Sequence, residues 1–378
     1  MSTLKELQQY GQSIWLDYIQ RSLMASGELA TLIREDGIRG LTSNPSIFEK
    51  AIAESSEYDA ELRKLATRLA TAKDIYEQLA VNDIQAAADV LRPVYDETRS
   101  RDGYVSLEVS PEHARNTEGT IDEARRLWRA VGRDNVMIKV PGTPEGIPAI
   151  ETLISEGINI NVTLLFAVST YDQVASAYIR GLKKRSAQGA DISRVSSVAS
   201  FFVSRVDTAV DALLEARISK ATTAEQVQLK ALLGKAAIAN AKLAYERYGA
   251  ILAGPDWKAL DVKGAQTQRV LWASTGTKNP AYRDVVYIEE LVGKDTVNTV
   301  PPATLEAFRQ HGRGRSSLIE GLGDARATLD ALARAGISMD AITLQLLEEG
   351  QRLFATAFRK LLDAVDKARP ITTQISAS

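Results

Sequence analysis

No cysteine occurs in the 378 residues, and histidine appears only twice, as His113 and His311. The first absence excludes disulfides, thiolate metal sites and a cysteine nucleophile, and it suits a reducing cytoplasm. The second leaves little for zinc hydrolysis, since the two histidines are far apart and neither adjoins a carboxylate motif. A Ser-His-Asp triad lacks any nucleophile-elbow motif. Neither sign of charge dominates: 46 Lys+Arg against 48 Asp+Glu leave a net charge of −2. Nothing therefore points to nucleic acid or to an anionic membrane as a partner. No apolar run is long enough to span a membrane, and the polar start Met1-Ser2-Thr3-Leu4-Lys5-Glu6 has no signal-peptide character. A cytoplasmic protein is expected. Long linkers and low-complexity tracts are missing too, which favours one elaborated domain over residues 1–368 and a frayed polar tail over 369–378.

What is present is an ordinary globular composition, 45% hydrophobic and 25% charged, on a chain long enough for a (β/α)8 barrel with insertions. Strand-like runs alternate with helical patterns, as in parallel βα architecture. The expected strands cover 14–18, 38–44, 104–109, 136–140, 158–164, 195–203, 270–275 and 296–300. Between them, Val206, Val210, Leu213, Leu214 and Ile218 keep one helical face apolar, and Ile342, Leu346, Leu353, Ala357, Leu361 and Val365 do so near the C-terminus. Residues 49–99 are expected to hold two or three helices, and 207–249 one long helix or a pair. The fold class is α/β: a single (β/α)8 TIM barrel with additional helices.

Lys139 stands out within Val136-Met137-Ile138-Lys139-Val140. An ammonium in a strand is costly to desolvate, and burial of an amine in general disfavours its charged form, freeing the lone pair to attack a carbonyl. By itself a lysine near a strand end is more often an ion-pair partner or a solvated rim residue. Strand parity supplies its company, because alternate residues of a barrel strand point inward. Lys139 opposes Ile138 and Val140; Glu108 opposes Leu107 and Val109; Asp17 opposes Leu16 and Tyr18; Asn161 and Thr163 oppose Val162 and Leu164. Asn44, Ser200 and Ser274 lie near the ends of three further strands. The C-terminal mouth of such a barrel is where active sites are built.

A lysine with two carboxylates suits Schiff-base chemistry, one acid serving imine formation and the other carbon–carbon cleavage. Asparagines and hydroxyls suit a polyhydroxylated chain, since each both donates and accepts hydrogen bonds. Magnesium on Asp17 and Glu108 remains an alternative that leaves Lys139 without a role.

Four segments resemble the transaldolase family. Gly40-Leu41-Thr42-Ser43-Asn44-Pro45-Ser46 is similar to its second-strand signature, and Val136-Met137-Ile138-Lys139-Val140-Pro141-Gly142-Thr143 to its Schiff-base lysine motif. Asn159-Ile160-Asn161-Val162-Thr163-Leu164-Leu165-Phe166 and Ala199-Ser200-Phe201-Phe202-Val203-Ser204-Arg205-Val206-Asp207 match two more, all in the right order. The resemblance spans almost the whole chain and implies a class I, metal- and cofactor-free barrel acting on sugar phosphates. It implies Lys139 as imine-forming nucleophile, Glu108 with Thr163 as holders of the proton-shuttling water, and Asp17 as the base for cleavage. Asn44, Asn161 and Ser200 would hold the retained dihydroxyacetone hydroxyls, and Phe202 would shield the imine. Arg205 and Ser274 would bind the distal phosphate.

Many family members carry a second arginine soon after that serine. Here Trp272-Ala273-Ser274-Thr275-Gly276-Thr277-Lys278 departs from the pattern, and Lys278 takes its place; the stretch resembles the longer subfamily sometimes fused to a phosphoglucose isomerase. The expected reaction moves a dihydroxyacetone unit between sedoheptulose 7-phosphate or fructose 6-phosphate and an aldose phosphate, in the non-oxidative pentose phosphate pathway. The alternatives are a fructose-6-phosphate-type aldolase, whose shorter members tend to carry glutamine and tyrosine where this chain has Glu108 and Phe202, and a non-catalytic sugar-phosphate-binding barrel. A monomer or a homodimer fits equally. The loop Gly312-Arg313-Gly314-Arg315-Ser316-Ser317 resembles a phosphate cradle but reads as a surface turn, and His113 and Trp128 read as packing or surface residues.

Overall fold

The computed structural model describes residues 3–368, so the tail 369–378 lies outside the described residues. Eight parallel strands close into a barrel in sequence order: β1 (Gln12–Leu16), β2 (Ile38–Leu41), β3 (Tyr104–Glu108), β4 (Val136–Pro141), β5 (Ile160–Leu165), β6 (Ser197–Phe202), β7 (Arg269–Ala273) and β8 (Thr296–Val300). All eight expected strands are found, β8 with the expected bounds and the other seven with at least one end shifted.

β2 stops at Leu41 rather than 44 because Asn44 leaves the ladder to cap the helix Pro45–Ala53, its Oδ1 accepting the Ile47 N–H at 3.1 Å. β1 begins at Gln12 and β7 at Arg269, polar residues that parity alone would not place in a core. Gln12 has the outward phase of Ile14 and Leu16 and donates to Leu291 O at 2.7 Å, whereas Arg269 lies inside the barrel's N-terminal end. There the buried Arg269 guanidinium pairs with Asp102 at 2.8 Å, while Ser13 Oγ (2.7 Å) and Trp15 Nε1 (3.1 Å) donate to the same carboxylate. Removing one partner of such a pair leaves an uncompensated buried charge. Asp102→Ala is therefore expected to destabilise the protein by about 3–5 kcal/mol, read from the midpoint of urea unfolding. A loss below about 1 kcal/mol would mean that Arg269 finds water or another acceptor.

The helical insertions are richer than the periodicity suggested. Residues 49–99 hold the rest of Pro45–Ala53, then Asp59–Ala66 and Ala72–Glu97; after β6 come Ser204–Ile218, Thr223–Lys230 and Ala236–Ala253, three helices where one or two were expected. Leu213 is half-exposed rather than on the apolar face.

The C-terminal helix Met339–Ala368 has 30 residues, about 45 Å of helix at 1.5 Å per residue. It packs against Pro45–Ala53 and Ala72–Glu97 over the barrel's C-terminal side. Its buried face includes Ile342, Leu346, Gly350, Phe354, Phe358, Leu361 and Val365. Leu353, expected on that face, is exposed at 39%, and Phe354 takes the inward position. The buried face follows steps of three and four from Gly350 through Phe354 and Phe358, which leaves Leu353 one position, about 100° of helix rotation, out of phase.

Candidate active site

Register brings three of the expected polar residues side by side on adjacent strands: Glu108 pairs with Lys139 across β3–β4, and Lys139 with Asn161 across β4–β5. Lys139 Nζ lies 3.3 Å from Glu108 Oε2, with both side chains over nine-tenths buried, and donates to the Ser43 carbonyl at 3.2 Å. The carboxylate contact is an ion pair without hydrogen-bond alignment, so Glu108 Oε2 makes no hydrogen bond. Thr163 Oγ1 is a second buried polar atom without one.

Asp17 follows the end of β1, its backbone N–H donating to Val300 O at 2.9 Å and extending the ladder by one residue. Its carboxylate accepts from Thr42 Oγ1 at 2.7 Å, and Thr42 contacts Thr299 of β8 at 2.6 Å. Burial raises the carboxyl pKa of both acids above the ordinary range, with Lys139 opposing; Thr42 also lowers that of Asp17, and Asp17 raises that of Glu108. One cation thus faces two carboxyls that are held towards their protonated forms, a set able to pass protons back and forth.

A cavity of about 340 Å³ opens in front of Lys139. Asp17, Asn44, Lys139, Thr163, Ser200, Phe202, Arg205, Ser274 and Lys278 all line it. Glu108 and Asn161 stand behind this wall. Asn161 Nδ2 donates to Ser106 Oγ at 3.0 Å and its Oδ1 accepts from Ser200 Oγ at 2.7 Å, so both ends of its amide bond to protein groups. Sequence reasoning did not single out Thr42, Ser46, Lys50, Thr299 or Phe354, which also line the cavity. Thr42 and Ser46 lie inside the Gly40–Ser46 motif, a signal that was available; Phe354 was hidden by the choice of Leu353. The Phe354 ring sits 5.7 Å from Lys139 Nζ, within cation–π range, so the C-terminal helix supplies a wall of the site.

The strands that shape the mouth are locally irregular. β5 carries a bulge between Val162 and Leu165, with Leu164 at φ 61°. Strict alternation therefore fails after Thr163. Leu164 turns to the C-terminal helix at Gly350, where any Cβ would approach its Cδ2 to 2.8 Å. Ser274, after β7, is also left-handed at φ 57°, and its hydroxyl contacts that of Ser204 at 2.9 Å. Such non-glycine conformations cost on the order of 1–3 kcal/mol each and concentrate at functional sites. On the rim, the Arg205 guanidinium lies 5.4 Å from the Phe202 ring and makes no salt bridge among the described residues. Burial lowers its pKa, with Glu349 of the C-terminal helix opposing. A half-buried cation of this kind favours an anionic ligand. Among the described residues, no group of three or more His, Asp or Glu side chains is arranged to hold a metal, and no helix is long and apolar enough to cross a membrane.

The profile of a family described as Transaldolase/Fructose-6-phosphate aldolase matches residues 14–365. The chain is 47% identical over 367 residues to a protein of Trichodesmium erythraeum (strain IMS101) named Transaldolase, covering 96% of this chain and 97% of the relative. It is 49% identical over 372 residues to Transaldolase 2 of Nostoc punctiforme (strain ATCC 29133 / PCC 73102), covering 97% and 98%. A Transaldolase of Neisseria gonorrhoeae (strain ATCC 700825 / FA 1090) is 45% identical over 362 residues, covering 96% and 99%.

Proposed function

The chain belongs to the transaldolase/fructose-6-phosphate aldolase family, and from that premise we propose that Lys139 carries a dihydroxyacetone unit between sugar phosphates as a covalent imine. The activity is that of a transaldolase. The observation that carries the mechanism is the buried Lys139–Glu108 pair at 3.3 Å, in which Lys139 lines a cavity that also holds Asp17 and a cationic rim.

In this reading a proton moves from the Lys139 ammonium to Glu108, and the neutral amine attacks the ketose carbonyl to give a carbinolamine. Glu108 returns the proton to the departing hydroxyl, which leaves as water, and a protonated imine remains. The unpaired Thr163 hydroxyl and Glu108 Oε2 supply hydrogen-bonding capacity for that water. Asp17 then takes the proton from the hydroxyl beside the scissile bond. The carbon–carbon bond breaks, its electron pair passes to the iminium nitrogen as an enamine forms, and an aldose phosphate departs. Attack of the enamine on a second aldose phosphate, with Asp17 giving its proton to the new hydroxyl, reverses the step. Asn44 and Ser200 bind the retained hydroxyls, Asn161 acts through Ser200, and Phe202 with Phe354 limits water at the imine. Arg205, Ser274 and Lys278 hold the distal phosphate.

The donors would be sedoheptulose 7-phosphate and fructose 6-phosphate, the setting the cytoplasm and the pentose phosphate pathway, and the working form a monomer or homodimer. Borohydride added with fructose 6-phosphate should fix a stable adduct that peptide mapping assigns to Lys139. An adduct on another lysine, or none, removes this mechanism. Product formation should also require an aldose phosphate acceptor; release of free dihydroxyacetone at a comparable rate without one would make the protein an aldolase.

A further inference from the structure

The β7–β8 loop carries Ser274 and Lys278, and it is tied down by residues that do not line the cavity in front of Lys139. Asp211 Oδ2 accepts from Tyr282 Oη at 2.7 Å, and Asp207 Oδ2 accepts from Tyr287 Oη at 2.8 Å. Both acids lie on the helix Ser204–Ile218, whose second residue is Arg205. Their other oxygens accept backbone N–H groups, Gly234 at 3.0 Å for Asp211 and Ala237 at 2.7 Å for Asp207. Both carboxylates are buried, and neither forms a salt bridge among the described residues. Phenols and amides satisfy them, so they do not neutralise the Arg205 or Lys278 cation.

The link from this latch to Lys278 is short. Asn279 Oδ1 accepts the Ala281 N–H at 3.0 Å, and Asn279 O accepts the Tyr282 N–H at 3.1 Å. One tight turn therefore joins Lys278 to Tyr282. The Tyr282 ring lies flush on Gly234, at φ +68°, where a Cβ would come within 2.7 Å of its Cζ. Lys278 itself is exposed and makes no salt bridge among the described residues, so its position rests on its backbone.

We infer that Asp211–Tyr282 and Asp207–Tyr287 form a latch that sets the spacing between Arg205 and Lys278 and thereby tunes recognition of the substrate's phosphate. Asp207, Asp211, Tyr282 and Tyr287 are positioning residues: one helix offers a cation to the cavity from one side and holds the loop bearing the second cation from the other. The inference rests on the assignment of Lys278 to the phosphate site.

The test compares wild type with Tyr282→Phe, Asp211→Asn, their double variant and Lys278→Ala, using fructose 6-phosphate and unphosphorylated dihydroxyacetone. Tyr282→Phe removes one hydroxyl and should raise KM for fructose 6-phosphate about 5–10-fold, with kcat and the thermal midpoint nearly unchanged. Borohydride trapping of dihydroxyacetone on Lys139 should not change. The double variant should be no worse than the worse single variant, since both break one bond. If Lys278→Ala shifts KM for the phosphorylated sugar and Tyr282→Phe does not, the latch is overturned while the phosphate assignment stands. If Lys278→Ala itself leaves KM unchanged, the phosphate assignment fails and takes the latch's stated role with it. Equal losses with both ketones would reduce the contacts to fold maintenance and likewise overturn the inference.

Discussion

Lys139→Met is expected to lower turnover by about four orders of magnitude or more, because Lys50 and Lys278, the other amines that line the cavity, are exposed, whereas Lys139 is buried beside Glu108. Methionine nearly matches the length of the lysine stem, so the packing against Phe354 is kept. Glu108 loses its cation, and burial, which already raises its carboxyl pKa, then favours the neutral acid. Removing half of a buried ion pair is usually costly, but an acid free to protonate avoids most of that cost. The variant should thus fold with a thermal midpoint close to wild type while borohydride labelling disappears. Turnover within a hundredfold of wild type in a well-folded Lys139→Met protein would show that the reaction does not pass through this amine.

The second large effect is expected at Asp17, and its signature differs. Asp17→Asn keeps an acceptor for the Thr42 hydroxyl, now 2.7 Å from Asp17 Oδ1, so the geometry should survive. The group proposed to take the hydroxyl proton during cleavage is gone, and loss of a positioned base costs about 10²–10⁴-fold in rate. In the proposed mechanism imine formation belongs to Lys139 and Glu108, and it should continue. Fructose 6-phosphate should therefore still be trapped on Lys139, and the trapped fraction should rise because the intermediate no longer breaks down. Loss of trapping in parallel with turnover would move Asp17 from cleavage to imine formation. The two variants together separate the part played by the amine from the part played by Asp17.

The residues differ in how visible they were. Lys139, Glu108 and Asn161 were legible from period-two alternation, since each departs from an apolar strand pattern that depends only on its own segment. Asn161 could not be read as engaged with Ser106 and Ser200, because those partners come from β3 and β6 and meet it only through register. Thr42 looked like part of a motif; its place between Asp17 and Thr299 required β1 and β8 to become neighbours at barrel closure. Phe354 was missed by one residue. Leu353 and Phe354 are both apolar, and near the edge of an apolar stripe only the partner surface decides which one turns inward. The latch of Asp207 and Asp211 on Tyr287 and Tyr282 left no pattern at all, because an acid and a tyrosine more than seventy positions apart have no local relation.

By itself the sequence determined the order and number of the strands, the depth of Lys139 in the fourth of them, and the family to which the motifs point. These follow from short-range rules: strand period, helical period and the cost of placing a charge in an apolar run. The tertiary structure alone decided which acid touches the lysine, which faces it across the cavity, and what closes the mouth. It also decided the bulge that turns Leu164 outward and the contacts that hold Lys278 in place. Those outcomes depend on register, closure and the docking of a 30-residue helix, in which small rotations select one side chain over its neighbour.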